Sequence, residues 1–176
     1  MKKTILFTSL MMVIFCLNGC NAKQASESDC LNAESQTKKQ RSIEEEMYQQ
    51  HGNYAVFKSD YTLNNKQIWV VFLKNEEMAI FINSNNLHGG RVLLSLRYEY
   101  EIRDSKLRFY NGYEKTITKV LHYPETSAEI FCDEDGVTFT NMKQFGNRRD
   151  VHISATLTNE TLDNGCLNFI KKYANE

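Results

Sequence analysis

The chain has 176 residues with 21 basic and 22 acidic side chains, a net charge of −1 at neutral pH. That mild acidity excludes the basic stripe that a nucleic-acid partner demands, so none is expected. The length beyond the leader suits one domain, with enough chain to bury a real core.

Lys2 and Lys3 precede the apolar run Ile5 to Leu17, and small or polar residues follow, which is the three-part pattern of a secretory signal. The run is too short for a spanning helix, which needs about 20 apolar residues. Leu17-Asn18-Gly19-Cys20 then resembles the lipobox of bacterial lipoproteins, with an aliphatic residue three places before the cysteine and a small one just before it. Asn18 departs from the usual small or β-branched residue. The resemblance implies cleavage before Cys20, diacylglycerol on its sulfur and acylation of its new amine. Two or three acyl chains anchor durably, since each buried methylene contributes about 0.8 kcal/mol. Asn21, in place of Asp, is similar to the residue that permits outer-membrane sorting in enteric-type bacteria, so the expected address is the envelope, facing the periplasm.

Residues 1–19 are therefore read as signal peptide, 20–41 as lipidated cysteine and tether, and 42–176 as a globular domain. Loss of the signal removes Lys2 and Lys3 and leaves 19 basic against 22 acidic residues, a net charge of −3. The stretch from Asn21 to about Gln40 is Ser, Asn, Gln, Glu and Lys with almost no large apolar residue, too little burial to offset ordering entropy. Ser42 before Glu44, Glu45 and Glu46 starts a capped short helix through His51, and Gly52 ends it.

Beyond Gly52 the pattern turns to period two. Val92, Leu94, Leu96, Tyr98, Tyr100 and Ile102 alternate with polar residues, apart from Leu93, predicting a strand of about 36 Å with one face in a core. Further strands are expected over Tyr54–Phe57, Gln67–Leu73, Met78–Ile82, Lys106–Tyr110, Glu114–Tyr123, Ser127–Cys132, Val137–Thr140 and Val151–Leu157. Asn111-Gly112 and Asp135-Gly136 read as two-residue hairpin turns, and Pro124 separates two strands. Leu162, Cys166, Phe169, Ile170 and Tyr173 return to helical spacing, predicting a helix over 159–174, capped by Asn159 or Thr161, that covers one face or mouth of the sheet. The fold class is mainly β: an antiparallel up-and-down meander or small barrel of about eight strands with a C-terminal helix. Over residues 52–174 this architecture resembles the small lipocalin-type barrels of envelope lipoproteins, a likeness that implies no site residue.

Candidate chemistry is sparse. Of five cysteines, Cys16 leaves with the signal and Cys20 takes lipid, leaving Cys30, Cys132 and Cys166 in an oxidising compartment. Cys132 and Cys166 both read as core-facing and form the disulfide candidate, with Cys30 spare or paired elsewhere. Asp133-Glu134-Asp135-Gly136 has the carboxylates of a calcium loop without its distal ligands and reads as a solvated hairpin. His88-Gly89-Gly90 resembles an esterase oxyanion loop, but no Gly-x-Ser-x-Gly elbow supplies a nucleophile. His51, His88, His122 and His152 lack zinc spacing, and Arg148 with Arg149 forms a small solvated spot. No catalytic residue, metal or cofactor is expected. Tyr110 and Tyr113, beside Asn111-Gly112, are the candidate contact residues for a protein partner. A tethered domain without acid–base pair or nucleophile points to binding: an inhibitor or immunity lipoprotein acting on a toxin or hydrolase, such as a phospholipase delivered by a type VI secretion system. The alternative is a carrier or sensor holding a lipid or other apolar ligand in the barrel.

Replacing the anchor residue tests the address. Cys20→Ala protein is expected to be unlipidated, either soluble or unprocessed; a cleaved Cys20→Ala chain that still enters the detergent phase with the parent in a phase-separation assay refutes Cys20 as the anchor.

Overall fold

The computed structural model describes residues 43–88 and 93–175, with the side chains of 93–95 outside the described set. The signal, Cys20, Cys30, the tether and Ser42, the expected helix cap, lie outside the described residues. A short helix, α1, covers 43–48 and is followed by Gly52 at a φ of 71°, whose N–H returns to the Tyr48 carbonyl at 2.8 Å.

Nine strands follow: β1 (Tyr54–Leu63), β2 (Lys66–Leu73), β3 (Met78–Asn83), β4 (Leu93–Arg103), β5 (Lys106–Lys115), β6 (Val120–Tyr123), β7 (Thr126–Asp133), β8 (Gly136–Met142) and β9 (Ile153–Thr158). All pairings are antiparallel, and two contacts close the sheet: β1 with β9, and β4 with β5. The result is the expected eight-stranded up-and-down barrel with one extra strand. That extra strand is continuous in register with β7, since Tyr123 faces Gly112 and Thr126 faces Phe109, three residues along on each side. Pro124, which has no N–H to give, interrupts the ladder there without reversing the chain.

The turns explain the meander. Asn64-Asn65 and Asp104-Ser105 take positive φ at both positions, the geometry of tight two-residue hairpins, at 53° and 58° and at 51° and 59°. The β7–β8 hairpin falls where expected, but its two-residue loop is Glu134-Asp135 rather than Asp135-Gly136: Gly136, at a φ of 107°, opens β8 opposite Asp133, whose carboxylate accepts the Asp135 N–H at 2.9 Å. Asn111-Gly112 corrects the sequence reading, because it lies inside β5. Asn111 adopts a φ of 51° as the extra residue of a bulge opposite β4, where the register shifts between Arg97 and Glu99. The chain reverses instead at 116–119, where Thr116 N–H bonds the Lys119 carbonyl at 2.9 Å.

Inward residues fill the lumen. Phe57, Phe72, Phe81, Tyr98, Phe109 and Phe139 are fully buried there, and Ile43, Met47 and Tyr48 of α1 join the same cluster and stop one mouth. The second helix, α2 (Asn164–Ala174), starts later than expected, capped by the Asp163 carboxylate, which takes the Cys166 N–H at 2.6 Å. It lies outside the barrel on β1, β2 and β3, where Val56, Val71, Ile80 and Ile82 pack with Cys166 and Ile170. Phe169, expected on its buried stripe, is 48% exposed. Thus β2 is buried on both faces: Ile68, Val70 and Phe72 point into the lumen, and Trp69, Val71 and Leu73 lie under the helix.

The expected Cys132–Cys166 bond is corrected as well, since both thiols are free. Cys166 lies on the buried side of α2 against β1–β3, whereas β7, which carries Cys132, stands across the barrel from β2 in the closed strand order.

Gly112 fixes a close approach. A Cβ there would fall 2.3 Å from Tyr98 Cε1 and 2.8 Å from Tyr123 Cβ. Gly112→Ala is expected to cost about 1–3 kcal/mol of stability in urea unfolding, the usual range for forced overpacking, and an unchanged midpoint refutes this tight fit.

Candidate functional site

The strand alternation sends α1 and the β2–β3, β4–β5 and β7–β8 turns to one end of the barrel, and a recess of about 520 Å3 opens there. Tyr48 of α1 and Tyr100 of β4 form its inner wall, with their hydroxyls hydrogen-bonded to each other. Burial first, and then the neighbouring phenol, pushes Tyr48 far above the ordinary tyrosine range, and burial pushes Tyr100 up to about 12. Ile102 lies deeper and Tyr110 of β5 forms an outer wall. Tyr110 is raised by burial and then by the carboxylates of Glu99, Glu77 and Glu101.

Charge surrounds these rings. Glu44 comes from α1, Glu77 from the β2–β3 turn and Glu101 from β4. Glu77 takes a φ of 51°, and its carbonyl accepts the Tyr100 N–H at 3.0 Å, which ties the turn to β4. Lys74 also lines the recess, with its ammonium 5.2 Å from the Tyr48 ring centre, a cation–π contact. Glu101 meets Arg108 at 3.4 Å, and Arg108 meets Glu125 at 2.7 Å, both on the surface. A cavity with tyrosine faces and carboxylates at its rim is suited to a cation; it holds no nucleophile beside a base.

At the opposite end a smaller recess of about 310 Å3 lies between Leu63, Leu96 and Phe145, with the Tyr123 hydroxyl given to Glu114. Behind it the Tyr98 hydroxyl is fully buried and faces the Gly146 backbone.

The two tyrosines singled out in sequence part company. Tyr110 lines the large recess. Tyr113 belongs to the helix-docking apparatus, where the Arg97 guanidinium lies 4.1 Å from its ring centre and 5.5 Å from that of Tyr173. Arg97 also donates to the carbonyls of Tyr173 and Ala174, a cation at the negative end of α2. Sequence reasoning missed Glu44, Tyr48, Lys74, Glu77, Tyr100 and Glu101 as one group. The signal present was the pair of acidic runs at Glu44 to Glu46 and Glu76-Glu77, which only folding brings to one end.

The histidines stay apart: His51 stacks on Tyr54 at 4.5 Å, His88 lies 3.9 Å from Glu160, and His122 meets Tyr113 edge-on at 5.9 Å. Gly89 and Gly90 lie outside the described residues. Among the described residues no three His, Cys, Asp or Glu side chains converge on a metal position, and no helix is long and apolar enough to cross a membrane. Comparison with protein-family models, curated proteins and solved structures gives no match.

The free thiols differ in reach. Burial, then Asp163, pushes Cys166 up to about 11, whereas Cys132 is exposed and only raised, by burial and by Glu46 and Asp133. In mature protein carrying Cys30→Ala, one thiol is expected to react with a disulfide reagent at pH 8 at least a hundredfold faster than the other. The slow one should be released on unfolding. Two equally fast thiols, or none, contradict this placement.

Proposed function

We propose that this chain is a lipid-anchored envelope protein that acts by binding another protein, as an inhibitor or immunity factor for an antibacterial hydrolase or toxin. The observation that supports it is the packed lumen. In a carrier built on eight strands the interior is the ligand chamber, but here Phe57, Phe72, Phe81, Tyr98, Phe109 and Phe139 occupy it with no exposed surface. Burial of six large aromatic side chains leaves the outside of the barrel and its mouths to do the work. A closed, aromatic-filled barrel is rigid, and a rigid surface binds a protein without a large ordering cost. The lipobox likeness of Leu17 to Cys20 supplies the location in which an envelope toxin would be met.

Neutralisation gives the direct test. A secreted hydrolase encoded beside this chain is expected to kill when sent to the periplasm alone, to spare cells that also make the full chain, and to co-elute with it as a stoichiometric complex. Survival that does not require co-elution removes the inhibitor reading. Native mass spectrometry should show the mature domain free of any apolar molecule; a stoichiometric bound lipid transfers the argument to the carrier.

A further inference from the structure

We propose that the recess beside α1 receives a guanidinium group, an arginine side chain presented by a basic partner protein. This rests on the protein-binding reading above and names the part of the surface and the partner chemistry.

Three observations converge. The first is the polarity of the barrel. Glu44, Glu45, Glu46, Glu76, Glu77 and Asp104 stand on α1 and two turns at one end, and the β7–β8 hairpin adds Asp133, Glu134 and Asp135, against Lys74, Lys106 and Arg103, the last 3.7 Å from Asp104. The loops of the opposite end carry Lys119, Lys143, Arg148 and Arg149 against Asp150. A partner that approaches the α1 end therefore meets a negative field, which attracts a basic surface and raises its rate of encounter.

The second is the recess itself, which at about 520 Å3 is of the size that takes a small group from another molecule. Tyr48 and Tyr100 line it from the lumen side and Tyr110 from the outer side of the β4–β5 ladder, with Glu44, Glu77 and Glu101 also on its lining. Aromatic faces favour a flat, weakly hydrated cation, and carboxylates favour a donor fork that engages two oxygens at once. Guanidinium meets both demands, whereas an ammonium is compact, strongly hydrated and unable to stack.

The third is Lys74. Its ammonium already lies over the Tyr48 ring at 5.2 Å, so the chain places a cation of its own in this environment. Glu101 is already shared with Arg108 at 3.4 Å, and Lys74 competes with an incoming cation at Glu44, Glu77 and the Tyr48 ring. The sign of its removal is therefore distinctive: a binding site for a cation improves when Lys74 goes, and a site for an anion worsens.

The probe is N-acetylarginine amide, titrated into the mature chain and followed by NMR. Saturable shifts are expected at Tyr48, Tyr100 and Tyr110, and none with N-acetylglutamine amide, a neutral probe of similar reach. Combined Glu44→Gln, Glu77→Gln and Glu101→Gln should weaken the arginine probe at least tenfold, and Lys74→Met should strengthen it severalfold. Glu44, Glu77 and Lys74 are exposed and Glu101 is half-buried, so unchanged melting temperatures are expected and are checked first. Raising salt from 50 to 500 mM on the unmodified chain gives a second measure that needs no variant, and binding should weaken. Equal response to both probes, persistence in the triple variant, weakening by Lys74→Met, or indifference to salt overturns the proposal. A toxin that binds a chain blind to the arginine probe removes this recess and leaves the inhibitor reading intact. Probe binding without any protein partner removes the inhibitor reading and leaves the recess.

Discussion

The barrel is held shut by the rings that meet around Phe72. From β2 it contacts Phe57 of β1 at 5.1 Å, Tyr100 of β4 at 5.0 Å, Phe109 of β5 at 6.3 Å and Phe139 of β8 at 6.2 Å between ring centres. Five strands thus converge on one side chain across a lumen that, in an eight-stranded barrel, is just wide enough for side chains. Edge-to-face pairs of this kind add about 0.5–1.5 kcal/mol each beyond the area they bury. Of the ladders that close the sheet, β1 with β9 runs only over Val56–Ser59, whereas β4 with β5 spans Arg97–Arg103. Contacts through the middle make these seams cooperative, since opening either one exposes the same rings. On the proposed protein-binding reading, a lumen occupied by the protein's own aromatics sends recognition to the ends.

The second constraint is the double burial of β1, β2 and β3. Their inward residues serve the lumen, and their outward ones need cover, which α2 supplies through Cys166, Ile170 and Tyr173, with Leu162 just ahead of it. Arg97 links this outer layer to the barrel: it reaches from β4 to the last carbonyls of the helix while its guanidinium stacks on Tyr113 and Tyr173. Charge–dipole contacts at a helix end are worth about 0.3–1 kcal/mol when exposed and up to about 2 kcal/mol when partly buried. Tyr113 serves this docking and also lines a surface recess of about 270 Å3 with Glu99, Asn111 and His122.

Legibility in the sequence followed the range of the interactions. The long alternation of β4 and the place of the β7–β8 hairpin could be read because side-chain period and turn chemistry are local. The Asn111-Gly112 pair has identical local chemistry to a hairpin turn. What makes it a bulge is remote: the ring of Tyr98 lies against Gly112, and β4 continues opposite it. In the same way the continuity of β6 with β7 is set by β5, on which both pair, and a proline between them looks from sequence like a boundary. Cys132 and Cys166 each sit at a position of apolar parity, but parity gives no information on which side of a closed barrel a residue stands. The candidate recess was illegible for a related reason, since Glu44, Glu77 and Glu101 come from three elements that only the strand alternation brings together.

The low net charge of the chain also conceals more than it reveals. Successive hairpins of an up-and-down barrel emerge at alternate ends, so any bias between odd and even turns becomes a dipole along the barrel. Strands of 8 to 11 residues such as β2 and β4, at about 3.3 Å per residue and tilted, set the ends about 20 Å apart. The Debye length at physiological salt is about 8 Å, so the cations of one end scarcely attenuate the field at the other. On the proposed reading, a partner at the α1 end responds to the charges of that end alone. The charge relevant to recognition is that of one end, and it is fixed by which turns carry the carboxylates.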